Sequence, residues 1–293
     1  MIIHPQIKSR KKSQLSAVWR RLIKNRMAVV GLVILCLIIL AALFAGVLFD
    51  YEKMVIQQSA SLRLKGPSTE HWFGTDEVGR DILARIIYGA RVSLPVAFAT
   101  IAIASVIGGL LGAIAGYGSK RVDNIIMRIM DIFLAIPSVL LSITLVSALG
   151  ASMGNLLLAI SISNIPPFAR IVRSSVLTIR NEEYIEAAQA IGGGDIRIIT
   201  KHIIPNCMAP LIVQATLSVA GSILAISSLS FLGLGIQPPT PEWGSMLSSG
   251  RQYIRYAWWV CAFPGIAIML IILSLNLLGD GLRDALDPKL KNR

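Results

Sequence analysis

The chain has 293 residues, 54% of them apolar and 15% charged, with a formal net charge of +12 and a mean hydropathy of +0.68. A soluble domain cannot hide that much apolar surface, so lipid must solvate much of it. The basic excess lacks the interleaved aromatics of a nucleic-acid surface, which argues against that class of partner.

Residues 1–27 hold eight Lys or Arg and no acid. Within them Leu15, Val18, Trp19, Leu22 and Ile23 recur at helical spacing among Lys12, Arg20, Arg21, Lys24 and Arg26. That pattern predicts a basic amphipathic helix in the headgroup layer, as a topogenic anchor or a partner contact. The apolar run that follows is too long and begins too late for a cleavable signal peptide.

A helical span of a bilayer core of ~30 Å needs roughly 20 apolar residues. Six windows meet or approach that: 28–49, 92–117, 132–149, 155–168, 207–232 and 257–278. The fourth is short and ends at Pro166-Pro167, while Pro137 and Pro210 are candidate kinks. None of the windows contains Asp, Glu, Lys, Arg or His, which disfavours an ion-coupled carrier or an intramembrane hydrolase. Lipid leaves no partner for bare backbone groups, so the fold class is all-α and polytopic.

Between the first two windows, residues 50–91 carry six acids and six bases. There Asp76 is a candidate N-cap, and Ile82, Leu83, Ile86 and Ile87 form one helical face. The segment reads as a short interfacial helix or as an outer surface that receives cargo or its carrier. Gly108, Gly112 and Gly116 follow at four-residue spacing, suited to close helix packing within the chain or against another subunit.

Residues 169–206 form a polar loop. Strong helix formers run from Glu182 to Ile191, Gly192-Gly193-Gly194 interrupts them, Asp195 can cap a second helix reaching His202, and Pro205 ends it. Two short helices around a glycine hinge make a knob suited to a cleft in another protein, the alternative being an ordinary loop. Later, Pro238, Pro239 and Pro241 turn the chain outside the membrane, and Trp243, Trp258 and Trp259 suit the interface. Lys120, Arg121, Arg128, Arg170, Arg173, Arg180, Arg197, Lys201 and a basic tail share one side with the N-terminus. Positive charge stays inside, so both termini are expected in the cytoplasm.

No Gly-Lys dipeptide occurs, hence no phosphate-cradling Walker A loop. No catalytic or metal-ligand set appears among His4, His71 and His202; His202 reads as packed or capping. Cys36, Cys207 and Cys261 have no paired spacing and read as small apolar residues.

The triplet Glu186-Ala187-Ala188 with Ala190, Gly192 and Pro205 resembles the signature loop of bacterial ABC importer permeases. Further motifs narrow this to the second permease subunit of peptide/nickel/opine importers. They are Gly74-Thr75-Asp76 with Gly79-Arg80-Asp81, Lys201-His202-Ile203-Ile204-Pro205-Asn206, Phe231-Leu232-Gly233-Leu234-Gly235, Pro241-Glu242-Trp243-Gly244 and Asn276-Leu277-Leu278-Gly279-Asp280-Gly281-Leu282-Arg283-Asp284. The general importer loop has an aliphatic residue at His202, although the peptide branch commonly has His there, and Gly193-Gly194 is richer in glycine than usual. The resemblance implies a six-span type I ABC importer permease fold in a bacterial inner membrane, with no catalytic residue and no cofactor in this chain. It implies a second permease, an extracytoplasmic solute-binding protein, and two ATPase subunits that use ATP and Mg. Contact with the ATPases would fall on Glu186, Ala187, Ala188, Ala190, Gly192, Asp195, Ile196, Arg197, His202 and Pro205. The implied cargo is di- or oligopeptide, with glutathione, nickel, opines or a non-conducting ATPase scaffold as alternatives. The resulting division is 1–27 N-terminal helix, 28–49 first span, 50–91 outer loop, 92–284 permease core with coupling loop 169–206, and 285–293 tail.

Overall fold

The computed structural model describes residues 10–286; residues 1–9 and 287–293, including His4 and most of the basic tail, lie outside it. Regular structure in the described chain is helical, apart from a single antiparallel bridge between Thr75 and Asp81. Helix α1 (Arg10–Lys24) meets α2 (Arg26–Leu43) at Asn25, whose side chain accepts from the Met27 and Ala28 amides. The inner face of α1 packs Val18 and Leu22 onto the last helix, so α1 is held by protein, while Trp19 and Ile23 stay exposed. A turn at Phe44 leads into the short α3 (Ala45–Leu48).

The 82–91 end of the outer segment and the second window are one helix. α4 runs Ile82–Tyr117, 36 residues through Pro95, so the helix expected at residues 82–91 is not separate from the span. Its N-cap is Asp81, which accepts from the Ala84 amide at 2.8 Å. Asp76, the expected cap, instead accepts from Val78 and Arg80 amides within the preceding turn.

The third window is broken. Amphipathic α5 (Lys120–Ala135) and apolar α6 (Ser138–Leu149) meet at 88°. The residue before Pro137, Ile136, is extended at φ −97° and ψ 126°, as proline demands of its predecessor. Pro137 is therefore a break and not a kink. Five helices are long and apolar enough to cross a membrane alone, and the bent pair makes a sixth only if both halves count as one span.

The fourth window does not stop at its prolines. α7 extends Met153–Ile179 through Pro166 and Pro167, so Arg170 and Arg173 lie on a helix and the polar loop begins only after Ile179. α4 and α7 pack along the glycine stripe. A Cβ on Gly108 would sit 2.6 Å from the Ile165 carbonyl, and one on Gly116 would sit 2.7 Å from Val176 Cβ. The stripe thus serves packing inside this chain, since close backbone approach is what holds helices together in lipid. Ser161 adds a 3.2 Å bond to the Thr100 carbonyl.

α10 (Ile204–Phe231), α11 (Trp243–Gly250) and α12 (Trp259–Leu286) complete the bundle. α12 packs on α10 and on α2, where Gly31 lies against the Ser274 carbonyl. Trp243 is fully buried, not interfacial, and donates to the Ile86 carbonyl at 2.9 Å. Glu242 beside it caps α11 through the Gly244 and Ser245 amides, and burial pushes its carboxyl above the usual range.

Candidate functional site

The polar segment after Ile179 folds as the two short helices its sequence predicts. α8 (Glu183–Ala190) opens with Glu183 and Glu186 in its first turn, where negative charge opposes the positive helix end. Ile185 points inward and is fully buried with Ile198, Ile203, Val172, Val176 and Cys207, which seats the pair on the bundle. At the far end, Gly192 takes φ +80°, its amide donates to the Gln189 carbonyl, and the Gly193 amide donates to the Ala188 carbonyl, both at 2.9 Å. That bonding pattern is the Schellman cap. The glycine hinge is therefore a closed turn. Gly193 is required too, because a Cβ there would lie 2.6 Å from the Ala188 carbonyl.

α9 (Asp195–Ile198) starts at Gly194, which has no side chain to offer as a cap. Asp195 is not the cap either; its Oδ1 accepts from the Tyr117 hydroxyl at 3.1 Å. The same hydroxyl accepts from Gln189 Nε2 at 3.2 Å. One residue at the end of α4 thereby joins both helices of the knob. Arg180 extends the connection by donating to the Gly116 carbonyl at 3.1 Å. Beneath it, Arg173 on α7 grips Asp123 on α5, with Nη2 to Oδ2 at 2.6 Å, and Arg170 pairs with Asp131 at 2.6 Å.

Pro205 does not end the second helix. A wide π-turn over Ile199–Ile203, closed by the Ile204 amide on the Ile199 carbonyl, carries the chain into α10 with Pro205 in its first turn. His202 is half-buried, its ring 6.5 Å from that of Tyr184, and its carbonyl accepts from Asn206 Nδ2 at 2.6 Å. Burial and nearby Glu182 push the Tyr184 hydroxyl above its ordinary pKa.

Of the residues singled out from sequence, Glu186, Ala187, Ala190, Gly192, Asp195, Ile196, Arg197 and Pro205 are exposed, and Ala188 and His202 are half-buried. Ile191 is 86% exposed and Ile196 80% exposed at the knob's tip. Two bare isoleucines thus stand on a capped, braced turn. Sequence reasoning missed Ile191 and Tyr117. Ile191 directly precedes the capping glycine, which was a usable signal; Tyr117 gave none, because its partners lie 72 and 78 residues away.

The outer motif is internal. Thr75, Asp76, Arg80 and Asp81 are buried, and Arg80 Nε donates to Asp76 Oδ2 at 2.7 Å. Asp81 also meets His71 Nδ1 at 2.8 Å, while Gly74 and Gly79 take positive φ. Burial and nearby Asp76 raise the pKa of Glu77. These side chains fix the start of α4 and offer little surface to cargo.

Residues 108–292 match the family model described as the binding-protein-dependent transport system inner membrane component. Residues 13–67 match the N-terminal transmembrane domain of oligopeptide transport permease C. The chain is 53% identical over 274 residues to a dipeptide transport system permease of Alkalihalophilus pseudofirmus, covering 94% of this chain and 90% of that protein. A di/tripeptide transport system permease of Pseudomonas aeruginosa is 46% identical over 284 residues, covering 96% and 94%. The dipeptide permease of Escherichia coli K12 is 47% identical over 277 residues, covering 93% and 92%. Among solved structures, an inward-facing MetNI methionine ABC transporter shares the fold at a TM-score of 0.57 and 18% identity, covering 69% of this chain and 96% of that one.

Proposed function

Because the chain belongs to the binding-protein-dependent transport system inner membrane components, and is a multi-pass protein of that membrane, we propose that it forms one half of the path through which an ATP-driven importer moves di- and oligopeptides inward. The peptide cargo rests on relatives at 46 to 53% identity that are named for dipeptide and di/tripeptide transport. The coupling role rests on one observation: a capped, buttressed knob whose tip bares Ile191 and Ile196 and whose two helices are both bonded to Tyr117 of α4.

In this reading Glu186, Ala187, Ala188, Ala190, Gly192, Asp195, Ile196, Arg197, His202 and Pro205 form or support the face that enters a groove on a cytoplasmic ATPase. ATP and Mg act in that partner, and a second permease and an extracytoplasmic solute-binding protein complete the assembly. ATPase closure displaces the knob, and Tyr117 and Arg180 carry the displacement to α4. α4 is packed on α7, so the two move together and shift the bundle between two packings.

The test is uptake by the full transporter in vesicles with Ile191→Glu and Ile196→Glu together. Burying two carboxylates in an apolar groove costs several kcal/mol, so peptide uptake is expected to fall at least about tenfold while the protein still inserts. Normal uptake by this variant overturns the coupling assignment.

A further inference from the structure

Eight basic residues lie on the side opposite the knob, and the structure divides them evenly. Lys53 pairs with Asp50, Arg80 and Arg85 with Asp76, and Arg91 donates to the Ala42 and Leu43 carbonyls at the end of α2. The other four, Arg63, Lys65, Arg251 and Arg255, are exposed and have no carboxylate within ion-pair distance among the described residues. They are brought to one place. Arg63 Nη2 donates to the Tyr253 hydroxyl at 3.2 Å and its guanidinium lies 5.8 Å over that ring. Lys65 adjoins Gly66, where a Cβ would lie 3.8 Å from the Trp259 ring. Arg251 and Arg255 flank Tyr253 in a stretch that contains no acid up to Trp259.

Large rings stand between the cations. Tyr256 is 68% exposed and Trp258 55% exposed, with Tyr256 edge-on to Tyr253 and Trp258 edge-on to Trp259. Exposed Tyr, Trp and Arg together have the composition of the centre of a protein interface. Unpaired cations on the outer face also run against the inward bias of positive charge in membrane proteins. The 251–258 part of the ridge precedes α12, and it is tied to the folded loop 59–81 by the Arg63–Tyr253 and Trp259–Thr75 hydrogen bonds.

Resting on the proposed import function, we propose that Arg63, Lys65, Arg251, Arg255, Tyr256 and Trp258 form the surface on which an acidic lobe of the soluble solute-binding protein docks. The cations steer encounter and the rings supply the buried contact.

The test uses the complete transporter in nanodiscs of phosphatidylcholine alone, with its purified solute-binding protein as the probe. R251E/R255E is expected to weaken binding about tenfold at low salt, chiefly through slower association, with the gap to wild type closing at high salt. R63E/K65E, on a separate segment, should reproduce the loss, which guards against a local folding defect in either pair. Unchanged affinity in both variants overturns the proposal. So does a loss that appears only when anionic lipid is added, since the ridge would then bind headgroups. Peptide uptake by the wild-type transporter is read separately, so failure of the docking surface and failure of the import reading are distinguishable.

Discussion

Tyr117 closes α4 and meets the knob through a single oxygen, donating to Asp195 and accepting from Gln189. Each such bond contributes about 1 kcal/mol net, modest for stability but placed on the only hydroxyl shared by both knob helices among the described residues. Tyr117→Phe keeps the ring and removes the connection. It is expected to lower peptide taken up per ATP hydrolysed by severalfold while ATP hydrolysis and thermal stability stay near wild type. Parallel loss of hydrolysis and uptake would mean that Tyr117 merely stabilises the fold. The Glu-Ala-Ala-Gly spacing made the knob legible from sequence. Its anchor was not, because hydrogen bonds between residues more than seventy positions apart leave no periodic trace.

At the level of elements, the prolines separate what sequence can convey from what it cannot. In water a proline ends or bends a helix by removing a hydrogen bond and crowding the preceding turn. Within a packed membrane bundle, neighbouring helices and side chains re-satisfy the freed backbone groups. α7 therefore passes through Pro166-Pro167, while Pro137 breaks the chain between an amphipathic and an apolar helix. The proline alone does not distinguish these outcomes; the amphipathic pattern of α5, with Arg128 and Asp131 just before the 132–149 window, was the readable difference. The glycine stripe can be tested directly. At Gly112 a Cβ would lie 3.0 Å from the Arg173 amide, whereas at Gly109 it would meet only Val172 Cγ2 at 4.0 Å. Gly112→Leu is expected to cost about 1–3 kcal/mol or more through overpacking, read as a lower melting temperature in detergent. Gly109→Ala should leave the melting temperature nearly unchanged. Equal melting of the two variants would remove the stripe from the α4–α7 contact.

Across the whole molecule, the apolar windows foretold the bundle, and charge predicts which end faces the cytoplasm. Charged residues sit on helical extensions beyond the windows, such as Arg170 and Arg173 on α7 and Asp280 and Arg283 on α12. The basic side carries the knob, so a cysteine at exposed Gly194, where a Cβ meets nothing within 4 Å, should react in whole cells only with membrane-permeant reagents when placed in a cysteine-free chain. Labelling by an impermeant reagent would invert the orientation. What composition could not convey is the outer ridge, because its cations come from segments nearly two hundred residues apart.

The Schellman cap has a consequence for assembly. Ordering a flexible loop on binding consumes free energy that would otherwise appear as affinity. A turn already closed by its own amides, with Gly192 and Gly193 in place, presents one shape before any partner arrives. In the proposed coupling role, the ATPase selects a finished template and does not have to mould it. Docking is free to be weak, quick and reversible while still transmitting force, because little conformational entropy is lost and regained in each cycle.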